Sequence, residues 1–193
     1  MLPTGTGKTL VFSKVVEEEV RKGEKALILA HRGELLDQAS DKLYQTTGLT
    51  TSLEKAESTS VGSCERVTVA SVQTLSQEAR LKKFKKDDFG VIVVDEAHHA
   101  MSETYQRVLK YFDSAKVLGV TATPDRADQK NLGQFFDSKA YEYTLHQAVK
   151  EGYLCPVKAQ MIPLELDIRN VGLSNGDYAV GEIGSSLEPY LNQ

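Results

Sequence analysis

The chain has 193 residues, of which 40% are hydrophobic and 26% charged, and its formal net charge is −4. This composition is typical of a folded domain, and the acidic balance excludes a surface that holds nucleic acid by charge alone. Because the sequence has neither an apolar run of the roughly 18 residues that a membrane span needs nor an export signal at its start, we expect a cytoplasmic protein without a membrane partner.

The first predicted element is a phosphate-binding loop at residues 3–9, which read Pro-Thr-Gly-Thr-Gly-Lys-Thr. Its two glycines permit positive φ and close approach of the backbone, so that successive amides can face an anion at the start of a helix. Lys8 is expected to reach the β- and γ-phosphates of a nucleotide, and the Thr9 hydroxyl to bind the accompanying Mg²⁺. The generic pattern has glycine at the position of Leu2, so the turn depends on the two glycines of the loop.

Strands and helices are predicted to alternate along the chain. Apolar, β-branched runs predict strands at 26–30, 67–70, 91–95 and 116–121, with a weaker strand inside the polar stretch 47–64. Apolar residues at helical spacing predict helices at 9–21, 33–46, about 72–82 and 102–112. This alternation predicts a doubly wound α/β fold with a mostly parallel sheet, in which ligands bind at the carboxyl ends of the strands.

Two acidic residues end the strand predicted at 91–95. The strand is apolar as far as Val94, as expected for a strand buried on both faces, and Asp95 and Glu96 follow. Such a pair is more often a solvated strand end, but a phosphate-binding loop upstream favours catalysis. We therefore expect Asp95 to bind Mg²⁺ and Glu96 to orient and deprotonate water.

The remaining segments carry weaker signals. A basic run at 80–86 precedes two aspartates, and we interpret it as a solvated surface at the amino edge of the sheet, away from ligands. Toward the C-terminus the sequence predicts, in order, a strand, a short helix, an extended strand and a loop, at 141–145, 145–151, 157–166 and 167–177.

Three motifs together resemble those of a known family. PTGTGKT at 3–9, DEAH at 95–98 and TATP at 121–124 resemble motifs I, II and III of superfamily 2 helicases and translocases of the DEAH/DExH group. Segments 30–36 and 69–75 are similar to the motifs of that family that lie along the nucleic-acid strand.

Smaller features are similar to one branch of this family, which holds restriction-enzyme motor subunits and DNA-repair translocases. They are the form Ala-His-Arg-x-Glu-Leu-Leu at 30–36, the doubled His98-His99 and the sequence Gly-Tyr-Leu-Cys-Pro at 152–156. Motor proteins of this branch, rather than DEAD-box RNA helicases, are the closest resemblance.

The resemblance implies roles for individual residues. ATP and Mg²⁺ would be bound by Thr4, Gly5, Thr6, Gly7, Lys8 and Thr9, with Asp95 as the second metal ligand. The implied catalytic residues are Lys8, Asp95, Glu96 and His98, with Glu96 as the base. His98 would couple hydrolysis to Thr121 and Thr123, and the nucleic acid would contact Arg32, Ser71, Gln73 and Thr74.

The resemblance also implies a domain organisation. Residues 1–155 would form a RecA-like lobe of the P-loop NTPase class, and 156–193 a linker toward a second RecA-like lobe. These residues lack the strand that precedes the phosphate-binding loop in the family, and the second lobe supplies an arginine finger. We therefore expect little ATP hydrolysis from the 193 residues alone, because such arginines contribute about 10³ to 10⁵ in turnover.

The function implied is that of the ATP-binding lobe of a DNA helicase or translocase, which couples Mg-ATP hydrolysis to strand movement. Two alternatives stay open: an RNA helicase, and an ATP-gated nucleic-acid-binding or regulatory module without productive hydrolysis. A small-molecule kinase would share the phosphate-binding loop, but it has no reason to place DEAH at a strand end and TATP after the next strand.

Overall fold

A computed structural model describes residues 1–31, 33–122, 132–133, 135–156, 158, 173–174 and 177–178. The chain divides into two compact units, Met1–Cys155 and Pro156–Gln193. The first unit holds a five-stranded sheet with its helices. In the second unit the described residues form two short antiparallel strands, β6 (Leu173–Ser174) and β7 (Asp177–Tyr178).

All five strands of the first unit are parallel and lie in the order β2-β3-β1-β4-β5. Their bounds are β1 (Ala26–Ala30), β2 (Thr51–Glu54), β3 (Val67–Ser71), β4 (Val91–Asp95) and β5 (Lys116–Val120). Every residue of β1 and β3 is buried, which explains their apolar sequences. The doubly wound parallel fold is confirmed, as are the strands predicted at 26–30, 67–70, 91–95 and 116–121 and the weaker strand predicted inside 47–64.

Helices cover both faces of this sheet. Their bounds are α1 (Lys8–Arg21), α2 (Gly33–Thr47), α3 (Val72–Leu75), α4 (Glu78–Leu81), a 3₁₀ helix (Ala97–Met101), α5 (Glu103–Tyr111) and α6 (Leu145–Lys150). Alternate strand residues point to opposite faces, so that Ile28 joins a core with α1 and α2 while Leu27 joins a core with α3, α4 and α5. Among the described residues, no helix has the length and apolar character needed to cross a membrane.

The single helix predicted at about 72–82 is wrong, because two one-turn helices, α3 and α4, occupy this stretch. The chain is extended at Gln77 (φ −68°, ψ 127°), which caps α4. Leu75 and Leu81 are both buried in the same core. Residues six positions apart lie about 120° apart around an ideal helix, so a straight helix would not direct both leucines into that core.

Toward the C-terminus the predictions are partly right. The helix predicted at 145–151 is confirmed as α6, which starts from a capping box between Thr144 and Gln147. The strand predicted at 141–145 is wrong: Tyr141 and Tyr143 have no regular secondary structure, although their backbones bond to Met1. The capping box explains the difference, because it begins a helix where the strand would have continued.

The last two predicted segments fall mostly outside the described residues. Of the extended strand predicted at 157–166, only Lys158 is described, and it has no regular secondary structure. The loop predicted at 167–177 is wrong where the structure describes it, because β6 and the start of β7 lie within it. Asn and Gly stand between these two strands in the sequence, a pair that favours tight hairpin connections.

The basic run at 80–86 is a solvated surface only in part. Its lysines are exposed, and Lys83 lines a pocket with Lys25 and Phe89, at the amino edge of the sheet as predicted. The prediction is wrong for Arg80, whose Nη1 lies 2.6 Å from Oε1 of Glu54, a side chain with no exposed surface at the carboxyl end of β2. A buried carboxylate needs a charged or hydrogen-bonding partner. The sequence pattern does not show that Glu54 is buried, and so it does not predict that Arg80 pairs with it.

Glu54 and Arg80 tie the connection after β2 to α4. The other carboxylate oxygen of Glu54 accepts hydrogen bonds from the Ser60 backbone N–H and hydroxyl. Arg80 also donates to the carbonyl oxygens of Ala56 and Ser58. This ion pair and its hydrogen bonds therefore connect the segment after β2 to α4.

Arg80→Ala should lower the free energy of unfolding by about 1–3 kcal/mol, the cost of leaving a buried acceptor short of a partner. Thermal or urea unfolding followed by circular dichroism measures the change. Lys82→Ala is the matched control, because Lys82 forms an exposed pair with Glu78, and exposed ion pairs contribute little to stability. Equal stability of the two variants would show that Glu54 does not need Arg80.

Candidate functional site

The phosphate-binding loop turns at its two glycines, as the sequence predicted. Gly5 and Gly7 have φ values of 86° and 87°, in the left-handed region that glycine adopts without strain. Gly7 is also the residue from which α1 begins. The Thr6 hydroxyl and amide both donate to the Pro3 carbonyl, at 2.7 and 3.3 Å, and close the turn. Backbone amides at the start of a helix after such a turn form an anion-binding site.

Lys8 connects this loop to the acidic pair after β4. Its Nζ lies 3.3 Å from Oε1 of Glu96, 88 residues away in the sequence, and its side chain is only 12% exposed. Both residues therefore face one space at the carboxyl edge of the sheet. A phosphate group entering that space would meet the ammonium group and the loop amides, with the carboxylates on its other side.

Asp95 is poorly stabilised as an anion. Burial raises the pKa of its carboxyl above the ordinary value, and the negative charge of Glu96 raises it further. The Glu96 amide, which donates to Asp95 Oδ1 at 3.0 Å, and the charges of Lys8 and Lys42 oppose this shift without cancelling it. A bound cation would stabilise the ionised form of this carboxylate.

The oxygen ligands available here suit Mg²⁺. Magnesium is usually held by one or two carboxylates together with substrate phosphates, rather than by a cage of protein ligands. Asp95 and the Thr9 hydroxyl at the start of α1 fit that pattern. Within the described residues no three His, Cys, Asp or Glu side chains are grouped to hold a metal.

The backbone turns sharply where β4 ends. Glu96 has φ 52° and ψ 58°, the left-handed conformation that residues other than glycine rarely adopt, and it begins the 3₁₀ helix. Strain of this kind is concentrated at functional sites. Here it turns the chain between the two acids, so that Asp95 ends the strand and Glu96 starts the next element.

His98 contacts both the acidic pair and the end of β5. Its Nδ1 lies 3.3 Å from the Thr121 hydroxyl and 3.5 Å from Glu96 Oε2. Thr121 is buried, and its carbonyl accepts a hydrogen bond from Leu2. The structure thus brings together the first two members of the predicted coupling set, while Thr123 lies outside the described residues.

Three of the four predicted nucleic-acid residues lie at the last position of β3 or directly after this strand, at the same edge of the sheet. The Ser71 hydroxyl donates to Gln73 Oε1 at 2.8 Å, and Gln73 Nε2 lies 3.1 Å from Nδ1 of His31. The Thr74 hydroxyl accepts from the Ala56 amide. Arg32 lies outside the described residues. The role of all four in binding nucleic acid stays a prediction.

Two features of the site were missed by sequence reasoning. Tyr105 of α5 is buried, and within the described residues its hydroxyl has no hydrogen-bond partner. Burial, and then the charges of Asp95 and Glu96, raise the pKa of this phenol. Leu154 lies against the phosphate-binding loop, since a Cβ on Gly5 would be 3.2 Å from its Cδ2. Helical spacing could flag Tyr105, but no sequence signal places Leu154 there.

Comparison with known proteins agrees with this geometry. Residues 1–126 match the family model described as type III restriction enzyme, res subunit. The putative ATP-dependent helicase IRC3 of Saccharomyces cerevisiae is 31% identical over 200 residues, covering 96% of this chain and 29% of the yeast protein. The Drosophila melanogaster general transcription and DNA repair factor IIH helicase/translocase subunit XPB is 29% identical, covering 82% of this chain and 21% of its own length.

A solved structure shows the same fold. The helicase domain of Hef from Pyrococcus furiosus superposes with a TM-score of 0.60 at 28% identity, over 68% of this chain and 31% of that one. The present chain spans less than a third of the length of each of these three proteins. The resemblance seen in the motifs is confirmed: the chain belongs to the type III restriction enzyme res subunit (ResIII) family and holds the N-terminal RecA-like lobe of a superfamily 2 helicase, in the branch of restriction subunits and DNA-repair helicases.

Proposed function

We propose that this chain is the ATP-binding lobe of a DNA-dependent ATPase that couples Mg-ATP hydrolysis to movement along a DNA strand. The observation that carries the proposal is the 3.3 Å contact between Lys8 and Glu96, which places the phosphate-binding loop and the candidate base around one space. The similarity to the ATP-dependent yeast helicase supports ATP use, and the similarity to the Drosophila helicase/translocase subunit of a DNA repair factor supports action on DNA.

In this proposal the residues of the chain divide the chemistry of hydrolysis among them. The amides of the loop and Lys8 bind the phosphates and orient the γ-phosphate. Thr9 and Asp95 would hold Mg²⁺, which would supply charge neutralisation at the phosphates. Glu96 accepts the proton of the attacking water, and Lys8 fixes the position of its carboxylate.

Coupling to movement is assigned to the contacts of His98. A change in the charge near Glu96 acts on His98 and, through its 3.3 Å contact, on Thr121 after β5. We further propose that a second RecA-like lobe of a longer protein completes the site with an arginine, because positive charge at the γ-phosphate is worth about 10³ to 10⁵ in turnover.

The test is phosphate release by the longest natural protein that contains these residues, with and without DNA or RNA. Stimulation by single- or double-stranded DNA supports the proposal. Stimulation by RNA alone replaces it with an RNA-dependent motor. ATP binding without phosphate release under any condition indicates an ATP-gated binding module instead. Absence of ATP binding contradicts all three functions: the DNA-dependent motor, the RNA-dependent motor and the ATP-gated module.

Thr121→Ala should separate the two activities of the same protein. The exchange removes a hydrogen bond worth about 1 kcal/mol, so we expect the rate of strand displacement to fall about fivefold. Hydrolysis should change less, because the contact that the exchange removes is the one between the Thr121 hydroxyl and His98. Strand-displacement and phosphate-release assays on the same preparation measure the two rates. Thr104→Ala, an exchange on α5, is the control, and equal loss of both activities would contradict a coupling role.

A further inference from the structure

Three of the four histidines of the chain form a row of contacting rings at the carboxyl edge of the sheet. The rings of His31 and His99 stack with centroids 4.8 Å apart and planes 24° apart. The rings of His99 and His98 lie 4.1 Å apart, tilted by 47°. The fourth histidine, His146, is exposed on α6. The clustering therefore places most of the imidazoles of the chain in one location.

The two ends of this row contact different parts of the candidate site. At one end, His31 Nδ1 lies 3.1 Å from Gln73 Nε2, in the predicted nucleic-acid surface. At the other end, His98 Nδ1 lies 3.3 Å from the Thr121 hydroxyl and 3.5 Å from Glu96 Oε2. The row thus gives an unbroken series of contacts between the two predicted binding surfaces.

His99 is also joined to Glu96 through the backbone. Its amide donates to the Glu96 carbonyl at 2.9 Å, within the 3₁₀ helix that begins at the strained turn of Glu96. Because stacked rings cannot interpenetrate, displacement of His31 moves the ring of His99 or breaks the stack. The 3₁₀ helix that carries His99 begins directly after Glu96, so such a displacement passes through the backbone to the residue that carries the carboxylate.

We infer that the stacked pair of His31 and His99 positions Glu96 in response to nucleic acid bound at Gln73. This inference rests on the function proposed above and extends it, since the coupling assigned there runs through His98 and Thr121. His31 and His99 act as positioning residues: neither is placed in contact with ATP. Because Glu96 contacts Lys8 of the phosphate-binding loop, their role is to make the affinity for ATP depend on the occupancy of the nucleic-acid surface.

Coupling of this kind is a measurable and reciprocal quantity. The factor by which a non-hydrolysable ATP analogue changes the Kd of a labelled single-stranded oligodeoxynucleotide equals the factor by which the oligonucleotide changes the Kd of the analogue. Typical coupling factors are about 5 to 150. The longest natural protein that contains this chain is used, and each Kd is measured alone and with the other ligand saturating.

His99→Ala should bring the coupling factor to within about twofold of 1, because the link between the rings is lost. The affinity for each ligand alone should stay near that of the unmodified protein. His99→Phe keeps a stacking ring and should retain most of the coupling. His146→Ala is the matched control and should change nothing, because its ring lies outside the row.

His31→Ala provides an independent measurement, since His31 is exposed and its removal leaves the core intact. The double variant should lose no more coupling than either single variant, as expected for two members of one unit. An unchanged coupling factor in both single variants overturns the inference, as does a loss of affinity for one ligand with coupling retained. A factor of 1 in the unmodified protein would instead reject the proposed function, on which the inference rests.

Discussion

Glu96→Gln is expected to lower ATP hydrolysis by about 10² to 10⁴, the contribution of a positioned general base. Glutamine has nearly the same shape as glutamate, and its carbonyl oxygen can still accept the hydrogen bond from Lys8. ATP binding should therefore stay within a few-fold of that of the unmodified protein. Phosphate release under saturating Mg-ATP and DNA measures the first quantity, and titration with a fluorescent ATP analogue measures the second.

Glu103→Gln is the control for this experiment. Glu103 is an exposed glutamate in the first turn of α5, so the same exchange there removes a charge close by without touching the site. Retention of DNA-stimulated hydrolysis in the Glu96 variant would mean that another group deprotonates the water. Loss of both binding and hydrolysis would mean that the contact with Lys8 holds the phosphate-binding loop in shape.

The sheet could be predicted from the sequence because its strands are buried. Parallel strands covered on both faces favour apolar runs. Such runs define β1 and, as far as Val94, β4, while β3 is apolar except for Thr68 and Ser71. The prediction of one helix at 72–82 was wrong. The apolar spacing of this stretch fits a helix, whereas burial of both Leu75 and Leu81 requires an interruption of the helix. The local sequence pattern identifies which residues are buried. The packing of neighbouring strands and helices decides which backbone conformation brings those residues into the core.

The candidate site divides along the same line. The turn of the phosphate-binding loop and the position of Asp95 at the end of β4 could be predicted from the sequence, because each depends on residues that are contiguous in the chain. The stack of His31 on His99 and the pair of Glu54 with Arg80 join residues 68 and 26 positions apart. Contacts of that kind are set by the register of β1, β2 and β4, so no window along the chain could reveal them.

Asp95→Asn is expected to reduce hydrolysis and to stabilise the fold at the same time. Loss of a carboxylate ligand for Mg²⁺ should lower turnover by about 10³, since metal-ion charge stabilisation is worth several kcal/mol. The stability effect follows from the raised pKa of Asp95, which results from burial and from the charge of Glu96. The folded chain holds this proton more tightly than the unfolded chain, so ionisation of Asp95 destabilises the folded state.

The effect of Asp95→Asn on the stability of the fold depends on pH. As the pH rises from the ordinary aspartate pKa through the raised pKa of the folded state, the stability of the unmodified protein falls, and the full penalty is present at neutral pH. Asparagine carries no charge, so the variant should have the higher Tm at pH 7, with the difference vanishing in acid. Thermal unfolding from pH 4 to 8 in EDTA measures this, with the exposed Asp113→Asn as control. A variant that is less stable at pH 7 would show that the contacts of Asp95 outweigh its burial, and the site would not favour a cation.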